Sequence, residues 1–298
     1  MTFLIAWSID DAVHAMAEGA RPVAGGSDLV VGARHGAATL PDQLVAIDRI
    51  ADLAVIEDTP HGLRIGAGVT HAVLMSHESI VERRSALADA AALVGSPATR
   101  NVGTIGGNVM NASPAMDTGA PLVVLDAQVE LQSTQGTRTV PVADVWVGPG
   151  QTAAGANELC TALLLPPAVQ RMGSAYVRLE YRRAMEIAIV GAGAKVVLDR
   201  EDNIADLAVA LSAVAPTILA VESIDVVGRP INEETLDVVA KAASAQAEPI
   251  SDLRASDDYR RHTIGVMAKR AVAAAARRAS GERIAVPVNR SVGIGASS

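Results

Sequence analysis

The sequence predicts an α+β protein in three parts. Helical and strand patterns alternate through the first half of the chain, and the pattern changes to a strand hairpin and helices after Pro166 and Pro167. Paired prolines cannot continue a helix or a central strand ladder, so a boundary is placed there. The chain has 298 residues, enough for more than one domain. The predicted parts are residues 1–52, 53–168 and 169–282, followed by a tail at 283–298.

The first part has the pattern of a short α/β unit. Residues 9–18 have helical spacing, the run 21–26 is a strand that ends in a glycine turn, and residues 28–34 resume a helix. Residues 45–50 are typical of a short buried strand. The middle part opens at 62–70, continues through helical patterns at 72–79 and 86–94, reaches glycines at 103–107, and ends in strand-like runs at 122–131 and 139–142.

The third part begins with an alternating stretch at 174–197, which predicts a hairpin whose second arm contains Gly191 and Gly193. Helical patterns follow at 206–211, 232–245 and 263–279, the last with a stop signal at Gly281. The tail shows no apolar periodicity. The six aromatic residues of the chain leave a core that must be mainly aliphatic.

Composition excludes several classes of function. The 25 basic and 33 acidic side chains give a formal charge of −8, which argues against nucleic acid or an anionic membrane as the main partner. Cys160 is the single cysteine, so the chain has no internal disulfide, no cysteine-ligated iron–sulfur cluster and no Cys-rich zinc site. The apolar run 207–221 is too short and too interrupted to span a bilayer, and no signal-like segment opens the chain. A cytoplasmic protein is expected.

No common catalytic signature is present: the sequence has no P-loop, no HExxH and no GxSxG, and its histidines do not pair at metal-ligand spacing. We therefore predict no catalytic residue and no metal ligand. The segment Gly191-Ala-Gly193 begins like a dinucleotide fingerprint, but it lacks the third glycine and a following helix.

Two glycine clusters remain as candidate anion sites, at residues 24–28 and 104–108. Adjacent glycines remove two Cβ atoms, so backbone N–H groups can converge on an anion such as a diphosphate. Neither cluster contains Lys or Arg, so the amides and the hydroxyls of Ser27 and Thr104 would have to hold it. Asp117 follows the second cluster and could accept polyol hydroxyls. Spacing alone leaves these clusters as either binding loops or ordinary turns.

The run Arg100-Asn-Val-Gly-Thr-Ile-Gly-Gly-Asn108, with Asp117 after it, resembles the second flavin-binding motif of the medium, FAD-binding subunit of molybdenum hydroxylases of the xanthine dehydrogenase and aerobic carbon monoxide dehydrogenase type. Ala24-Gly-Gly-Ser-Asp28 resembles the first FAD loop of that family, with Ser27 where Thr or His is usual. Residues 63–71, 148–150, 185–188 and 251–262 are similar to its other landmarks. Relatives carry a short strand before the first helix, for which only residues 3–7 are available here.

The resemblance implies an FAD-binding type-2 (PCMH-like) two-part α/β domain, followed by a C-terminal domain with a three-stranded antiparallel sheet and a helical bundle. It implies that FAD lies between the first two parts. The residues that would wrap its diphosphate are Ala24, Gly25, Gly26, Ser27, Asp28, Thr104, Ile105, Gly106, Gly107 and Asn108. Asp117 would hold the ribityl or diphosphate region. Arg178 falls near a basic family position that reaches the flavin, and it fits a solvated strand arginine equally well.

The function implied is electron transfer. FAD would take electrons from the [2Fe-2S] clusters of a small partner subunit and pass them to an external acceptor, while a large subunit carries the molybdenum–pterin centre. The complex would be a dimer of heterotrimers, and quinone, NAD, oxygen or a protein stay open as acceptors. A self-contained flavin oxidoreductase acting on a small molecule is the alternative, and a scaffolding domain that has lost the cofactor is a third possibility.

Overall fold

The computed structural model describes residues 1–36, 39–182 and 184–292. In chain order, the elements of the first 125 residues are β1 (Thr2–Ile5), α1 (Ile9–Ala17), β2 (Arg21–Val23), α2 (Leu29–Arg34), β3 (Gln43–Ala46), β4 (Ile56–Thr59), β5 (Gly62–Gly66), α3 (His71–Leu74), α4 (Glu78–Arg83), α5 (Ser85–Leu93), α6 (Pro97–Val102), α7 (Ile105–Met110) and α8 (Gly119–Val124). The elements that follow are β6 (Gln128–Ser133), β7 (Gly136–Pro141), α9 (Val142–Val145), β8 (Trp146–Gly148), β9 (Gln151–Thr152), β10 (Leu159–Leu165), β11 (Met172–Leu179), β12 (Val190–Leu198), β13 (Ile204–Ser212), β14 (Leu219–Ala220), α10 (Glu233–Gln246) and α11 (Asp257–Ala279).

The chain forms two compact units, each assembled from separate stretches of sequence. The first contains Met1–Val73, Pro97–Ala112 and Asp126–Pro167. The second contains Leu74–Ser96, Ser113–Leu125 and Ala168–Ser298. The part boundaries inferred at residues 52, 168 and 282 stay predictions.

A parallel three-stranded sheet opens the first unit, with β3 between β1 and β2. Helix α1 follows β1, and Ser8 and Asp11 form a capping box at its start, in which each side chain accepts from the backbone of the other residue. Val13 and Met16 on α1 are buried in the core of this sheet. Strand β1 comes from residues 2–5, so the short N-terminal segment does serve as a strand.

The second sheet of the first unit is antiparallel, in the order β4-β5-β10-β6-β7. Its central strand, β10, is almost wholly buried and reads as a continuous apolar run. Cys160 lies on this strand, where burial, together with the charge of Glu130, raises the pKa of its thiol to about 12. A thiol with such a pKa is unreactive at neutral pH.

The second unit is a four-stranded antiparallel sheet, β11-β12-β13-β14, covered by α10 and α11. The helices bury Val239, Ile264 and Val272 in an aliphatic core. Gly173 on β11 explains how close the long helix comes, because a Cβ there would lie 2.1 Å from the carbonyl oxygen of Ala275. Any side chain at residue 173 would push α11 off the sheet.

Two predicted elements have a different secondary structure. Residues 206–211 were expected to be helical and lie inside strand β13. A buried apolar run fits either structure by periodicity, and here the run pairs with β12. The strand expected at 122–131 is instead the end of helix α8, a turn in which Asp126 has φ +55°, and then β6. Ladder pairing with β7 and β10 decides where that strand begins.

The third part has the predicted architecture, an antiparallel sheet with helices, and differs from the prediction in two details. The sheet has four strands where three were expected, because the two-residue strand β14 pairs with the outer side of β13. The helical bundle is a pair of helices, α10 and α11, across the described residues of this part. The tail also packs, since Val288 and Asn289 are buried; tail residues 293–298 lie outside the described residues. No helix in the described ranges is long and apolar enough to cross a membrane.

Candidate functional site

The first glycine cluster is a loop that leaves its amides unused. It runs from the end of β2 to the start of α2, and Gly26 adopts φ +66°, which favours glycine. Among the described residues, no hydrogen bond is donated by the backbone N–H groups of residues 25–28. The Ser27 hydroxyl lies 3.5 Å from the Asp28 carboxylate. Four consecutive free amides beside a hydroxyl are a suitable donor set for a diphosphate.

The second cluster uses its amides within the protein. The N–H groups of Ile105 and Gly106 donate to the carbonyls of Val69 and Ala67, each at 2.9 Å. The Gly107 N–H donates to the Thr104 hydroxyl oxygen at 3.1 Å, which caps α7. The sequence led us to expect free amides at both glycine pairs, and this expectation was wrong for the second pair.

Thr104 is the member of the second cluster whose own backbone N–H has no partner among the described residues, although the residue is only 8% exposed. It pairs with Thr70 as an isolated antiparallel bridge. The hydrogen bonds of this bridge are made by the flanking residues: the His71 N–H donates to the Gly103 carbonyl, and the Ile105 N–H donates to the Val69 carbonyl. The amide of Thr104 therefore points away from the segment that holds the loop. Ile105 is buried, Gly107 is exposed, and Asn108 is half-buried and hydrogen-bonded.

Close backbone packing explains why glycine stands at residue 25. A Cβ there would lie 1.8 Å from the carbonyl oxygen of Val102 and 3.1 Å from the nitrogen of Gly103. The first loop therefore lies directly against the residues that lead into the second loop. The structure brings the two predicted clusters together within the first unit.

Gly106 and Gly107 have different surroundings. A Cβ on Gly106 would lie 2.5 Å from the Ala67 Cβ and 2.8 Å from its carbonyl oxygen, whereas one on Gly107 would meet only the Thr104 hydroxyl, at 3.0 Å. We expect Gly106→Ala to destabilise the protein by about 1–3 kcal/mol through overpacking. Gly107→Ala should change the free energy of unfolding by less than about 1 kcal/mol. Urea unfolding of both variants tests this difference, and equal losses would contradict it.

Asp117 and Arg178 form a buried ion pair in the second unit. The Asp117 carboxylate accepts from Arg178 Nη1 at 2.6 Å and from the Tyr176 hydroxyl at 2.9 Å. Arg178 is fully buried and also donates from Nε to Glu180 at 2.8 Å. Burial raises the pKa of Asp117, although Arg178 and Tyr176 oppose this. Arg178 is thus not a solvated strand arginine. Contact of either residue with a flavin stays a prediction.

The Gly-Ala-Gly segment at 191–193 lies in the interior of β12 and serves this network. A Cβ on Gly191 would lie 2.3 Å from the Tyr176 hydroxyl and 2.4 Å from the Ser212 hydroxyl. Those two hydroxyl oxygens are themselves 3.2 Å apart. Glycine at 191 therefore leaves room for a buried hydrogen-bond chain rather than for a nucleotide.

His71 is a residue near the loops that the sequence reasoning did not single out. It begins α3, is 2% exposed, and donates its backbone N–H to the carbonyl of Gly103 at 3.1 Å. Its ring lies beside Gly103, because a Cβ there would be 3.4 Å from His71 Cδ2 and 3.5 Å from the Ser27 hydroxyl. The signal in the sequence that could have identified His71 is its position at the end of residues 63–71, which resemble one of the family landmarks.

Burial, reinforced by the nearby charge of Arg100, lowers the pKa of His71 to about 4. An unfolded histidine titrates near pH ~6.5, so between these values the unfolded chain binds a proton that the folded chain does not. Stability should therefore fall by about 1.4 kcal/mol per pH unit as the pH drops through this interval. The His71→Phe variant should lack this component. Urea unfolding at several pH values tests it, and an equal pH slope in both proteins would contradict it.

Comparison with known proteins places this chain in a family. Residues 1–168 match the family described as the FAD binding domain in molybdopterin dehydrogenase, and residues 175–275 match the CO dehydrogenase flavoprotein C-terminal domain. The xanthine dehydrogenase FAD-binding subunit of Escherichia coli O157:H7 is 31% identical over 282 residues, covering 92% of this chain and 96% of that protein. The carbon monoxide dehydrogenase medium chain of Afipia carboxidovorans is 33% identical over 277 residues, covering 91% and 95%.

A solved structure of carbon monoxide dehydrogenase from Hydrogenophaga pseudoflava, lacking the Mo-pyranopterin moiety, contains a chain with a TM-score of 0.88 and 30% identity to this one. The match covers 93% of this chain and 98% of that chain. The fold class, the flavoprotein character and the FAD cofactor inferred from the glycine motifs are confirmed. The chain is an oxidoreductase component, and it belongs to the family of FAD-binding subunits of the molybdopterin dehydrogenases.

Proposed function

We propose that the chain passes electrons from the [2Fe-2S] clusters of a partner subunit through FAD to an external acceptor. The observation that carries this proposal is the pair of loops packed together in the first unit, one of which offers four consecutive unpaired amides. FAD supplies the chemistry, because a flavin accepts electrons singly and releases them in pairs. The chain itself binds, orients and electrostatically tunes the cofactor.

The two loops would contribute different numbers of hydrogen-bond donors to a diphosphate. In our proposal the first loop donates the amides of Gly25, Gly26, Ser27 and Asp28, with Ala24 as its entry. The second loop contributes the unpaired Thr104 amide, while Ile105, Gly106 and Gly107 hold its shape and Asn108 lines it. In a chain of net charge −8, such local donors must replace a general positive field.

Asp117 and Arg178 act on the flavin in this proposal, Asp117 toward its ribityl or diphosphate region. The complete burial of the Arg178 guanidinium supports an electrostatic role rather than a direct bond, since Asp117 and Glu180 already accept from it.

The proposed partners are a large molybdopterin subunit and a small [2Fe-2S] subunit, assembled as a dimer of heterotrimers. Two findings support partners: the curated relatives include proteins named medium chains, and this chain has one cysteine, which is buried. An iron–sulfur cluster needs several thiolate ligands, so the clusters belong to another chain. A cytoplasmic location stays a prediction.

Anaerobic reduction of the purified complex tests the proposal. Substrate added to the complex should bleach the visible flavin absorbance after the iron–sulfur absorbance, and a complex reconstituted without the small subunit should keep its flavin oxidised. The isolated chain should bind FAD but turn over no small molecule. Flavin reduction that proceeds without the small subunit would overturn the proposal, and turnover by the isolated chain would favour the self-contained oxidoreductase instead.

A further inference from the structure

Strand β1 forms an open edge of the parallel sheet in the first unit. Among the strands that the structure describes, β3 is its one neighbour, and β2, which leads into the first glycine loop, lies on the far side of β3. The backbone N–H groups of Thr2 and Ala6 donate toward β3. Because successive residues of a strand direct their backbone groups to opposite sides, the N–H and C=O groups of Phe3 and Ile5 face the open edge.

The side chains on one face of this edge are apolar and exposed. The register places Leu4 beside Val45, which belongs to the core that α1 covers, so Leu4 lies on the α1 face. Phe3 and Ile5 therefore lie on the opposite face, where they are 56% and 54% exposed. Trp7, just after the strand, is 68% exposed. Edge strands are usually protected by lysine or proline, and β1 contains neither, so these features indicate a partner.

The α1 face of the same edge contains a cavity of about 360 Å³. Its lining combines apolar side chains with carboxylates, and it includes Leu4, Ala6, Ala15, Val45, Asp11 and Glu18. The Glu18 carboxylate is exposed and has no hydrogen-bond or ion-pair partner within the described part of the chain. Residues 2–20 contain three carboxylates and no lysine or arginine. A side chain that enters this cavity from the open edge therefore meets a negative potential.

We infer that the open edge of β1 binds an extended segment of a partner protein in which basic and apolar side chains alternate. The added strand bonds through the outward groups of Phe3 and Ile5, and its side chains point alternately to the two faces of the sheet. On the α1 face, lysine or arginine lies near Asp11 and Glu18 with its aliphatic stem over the cavity. On the other face, apolar side chains cover Phe3 and Ile5. The inference does not require FAD.

Charge argues against a second copy of this chain as the occupant. Two β1 strands that pair antiparallel, edge to edge, place both α1 helices on the same face of the combined sheet. Asp10, Asp11 and Glu18 of each copy would then approach one another with no lysine or arginine from residues 2–20 between them. Like charges that meet in this way oppose association.

Titration of the full chain with a short peptide of alternating lysine and valine residues tests the inference. We expect saturable binding with a dissociation constant below about 1 mM, and no binding of the same peptide with glutamate in place of lysine. Hydrogen exchange followed by nuclear magnetic resonance gives the position. The amides of Phe3 and Ile5 should exchange rapidly in the free chain and at least roughly tenfold more slowly at saturating peptide.

Two substitutions separate the backbone pairing from the charge. Ile5→Pro removes an outward N–H and keeps the bonds to β3, so it should abolish peptide binding and leave FAD affinity unchanged. Glu18→Gln should weaken peptide binding by up to about fivefold. The matched control is Glu201→Gln, in the exposed turn between β12 and β13, which should bind the peptide like wild type.

Four results would overturn the inference: no binding of the lysine peptide, equal binding of the glutamate peptide, unchanged binding by Ile5→Pro, or Phe3 and Ile5 amides that stay unprotected at saturation. The exchange measurement uses the wild-type chain, so it decides the matter even if Ile5→Pro does not fold. Sedimentation tests the other occupant. A wild-type dimer that Ile5→Pro converts to a monomer would overturn the inference in favour of a second copy.

Discussion

Replacing Asp89 with alanine is expected to lower the free energy of unfolding by about 3–5 kcal/mol, because it leaves a buried guanidinium without its counter-charge. Asp89 is completely buried on α5 and accepts from Arg278 through both carboxylate oxygens, at 2.6 and 3.0 Å. It also accepts from the backbone N–H groups of Tyr176 and Val288, at 3.2 and 2.9 Å. One carboxylate therefore joins α5, β11, α11 and the tail within the second unit.

The matched control for this prediction is Glu282→Ala. Glu282 pairs with Arg277 on the surface, where both side chains are about half exposed, so its loss should produce no measurable change in stability. Urea unfolding with far-ultraviolet circular dichroism measures both variants. The double variant Asp89→Leu, Arg278→Met should recover only part of the loss, because it leaves no buried charge unpaired but removes the acceptor of the Tyr176 and Val288 N–H groups. A loss below about 1 kcal/mol in Asp89→Ala would contradict the role assigned to the carboxylate.

Replacing Gly25 with alanine is expected to abolish FAD binding, with a dissociation constant raised at least roughly a hundredfold. The new Cβ would lie 1.8 Å from the carbonyl oxygen of Val102, which is backbone and cannot swing aside. The first loop would have to move away from the second, and its amides would no longer meet a shared ligand. Fluorescence titration with FAD measures the change.

Gly32→Ala provides the control for Gly25→Ala. Gly32 lies on α2, a few residues after the same loop, and nothing lies within 4 Å of a Cβ built on it. Alanine is the better helix former, so this variant should be as stable as wild type or slightly more so, and should bind FAD normally. Normal FAD binding by Gly25→Ala, or its loss in Gly32→Ala, would argue that the cofactor does not depend on the packing of the two loops.

The sequence predicts the site through the resemblance of its two glycine motifs to those of the family, because spacing alone leaves such clusters as either binding loops or ordinary turns. The two clusters at 24–28 and 104–108 do lie together, although 76 residues lie between Gly25 and Val102. The sequence does not reveal which amides are free. That depends on long-range pairing: the segment 67–69 takes the amides of the second loop, and no local pattern announces this.

Buried polar groups are the second feature that the sequence hides. Asp89 lies in the helical pattern at 86–94 and His71 lies just before the one at 72–79, and their roles arise from contacts with distant residues such as Arg278 and Gly103. The misassigned stretch at 206–211 has a similar cause. Its apolar residues suit a helix locally, but pairing with β12 and β14 makes it an inner strand of a sheet.

A single cysteine implies that iron–sulfur clusters would be held by another chain, and the position of Cys160 in the fold is consistent with this. Cys160 is buried in β10 with a raised pKa, so it is neither a cluster ligand nor a redox thiol. In the proposed function the electrons enter and leave this chain through bound FAD, and the first unit contains the loops that suit it.

The most direct measurement of the central claim is an equilibrium titration of the purified, cofactor-free chain with FAD, followed by quenching of flavin fluorescence. We predict saturable binding of one FAD per chain, which Gly25→Ala abolishes and Gly32→Ala preserves. Absence of saturable binding by the wild-type chain, or identical binding by wild type and Gly25→Ala, would contradict the account that the two packed glycine loops hold the flavin.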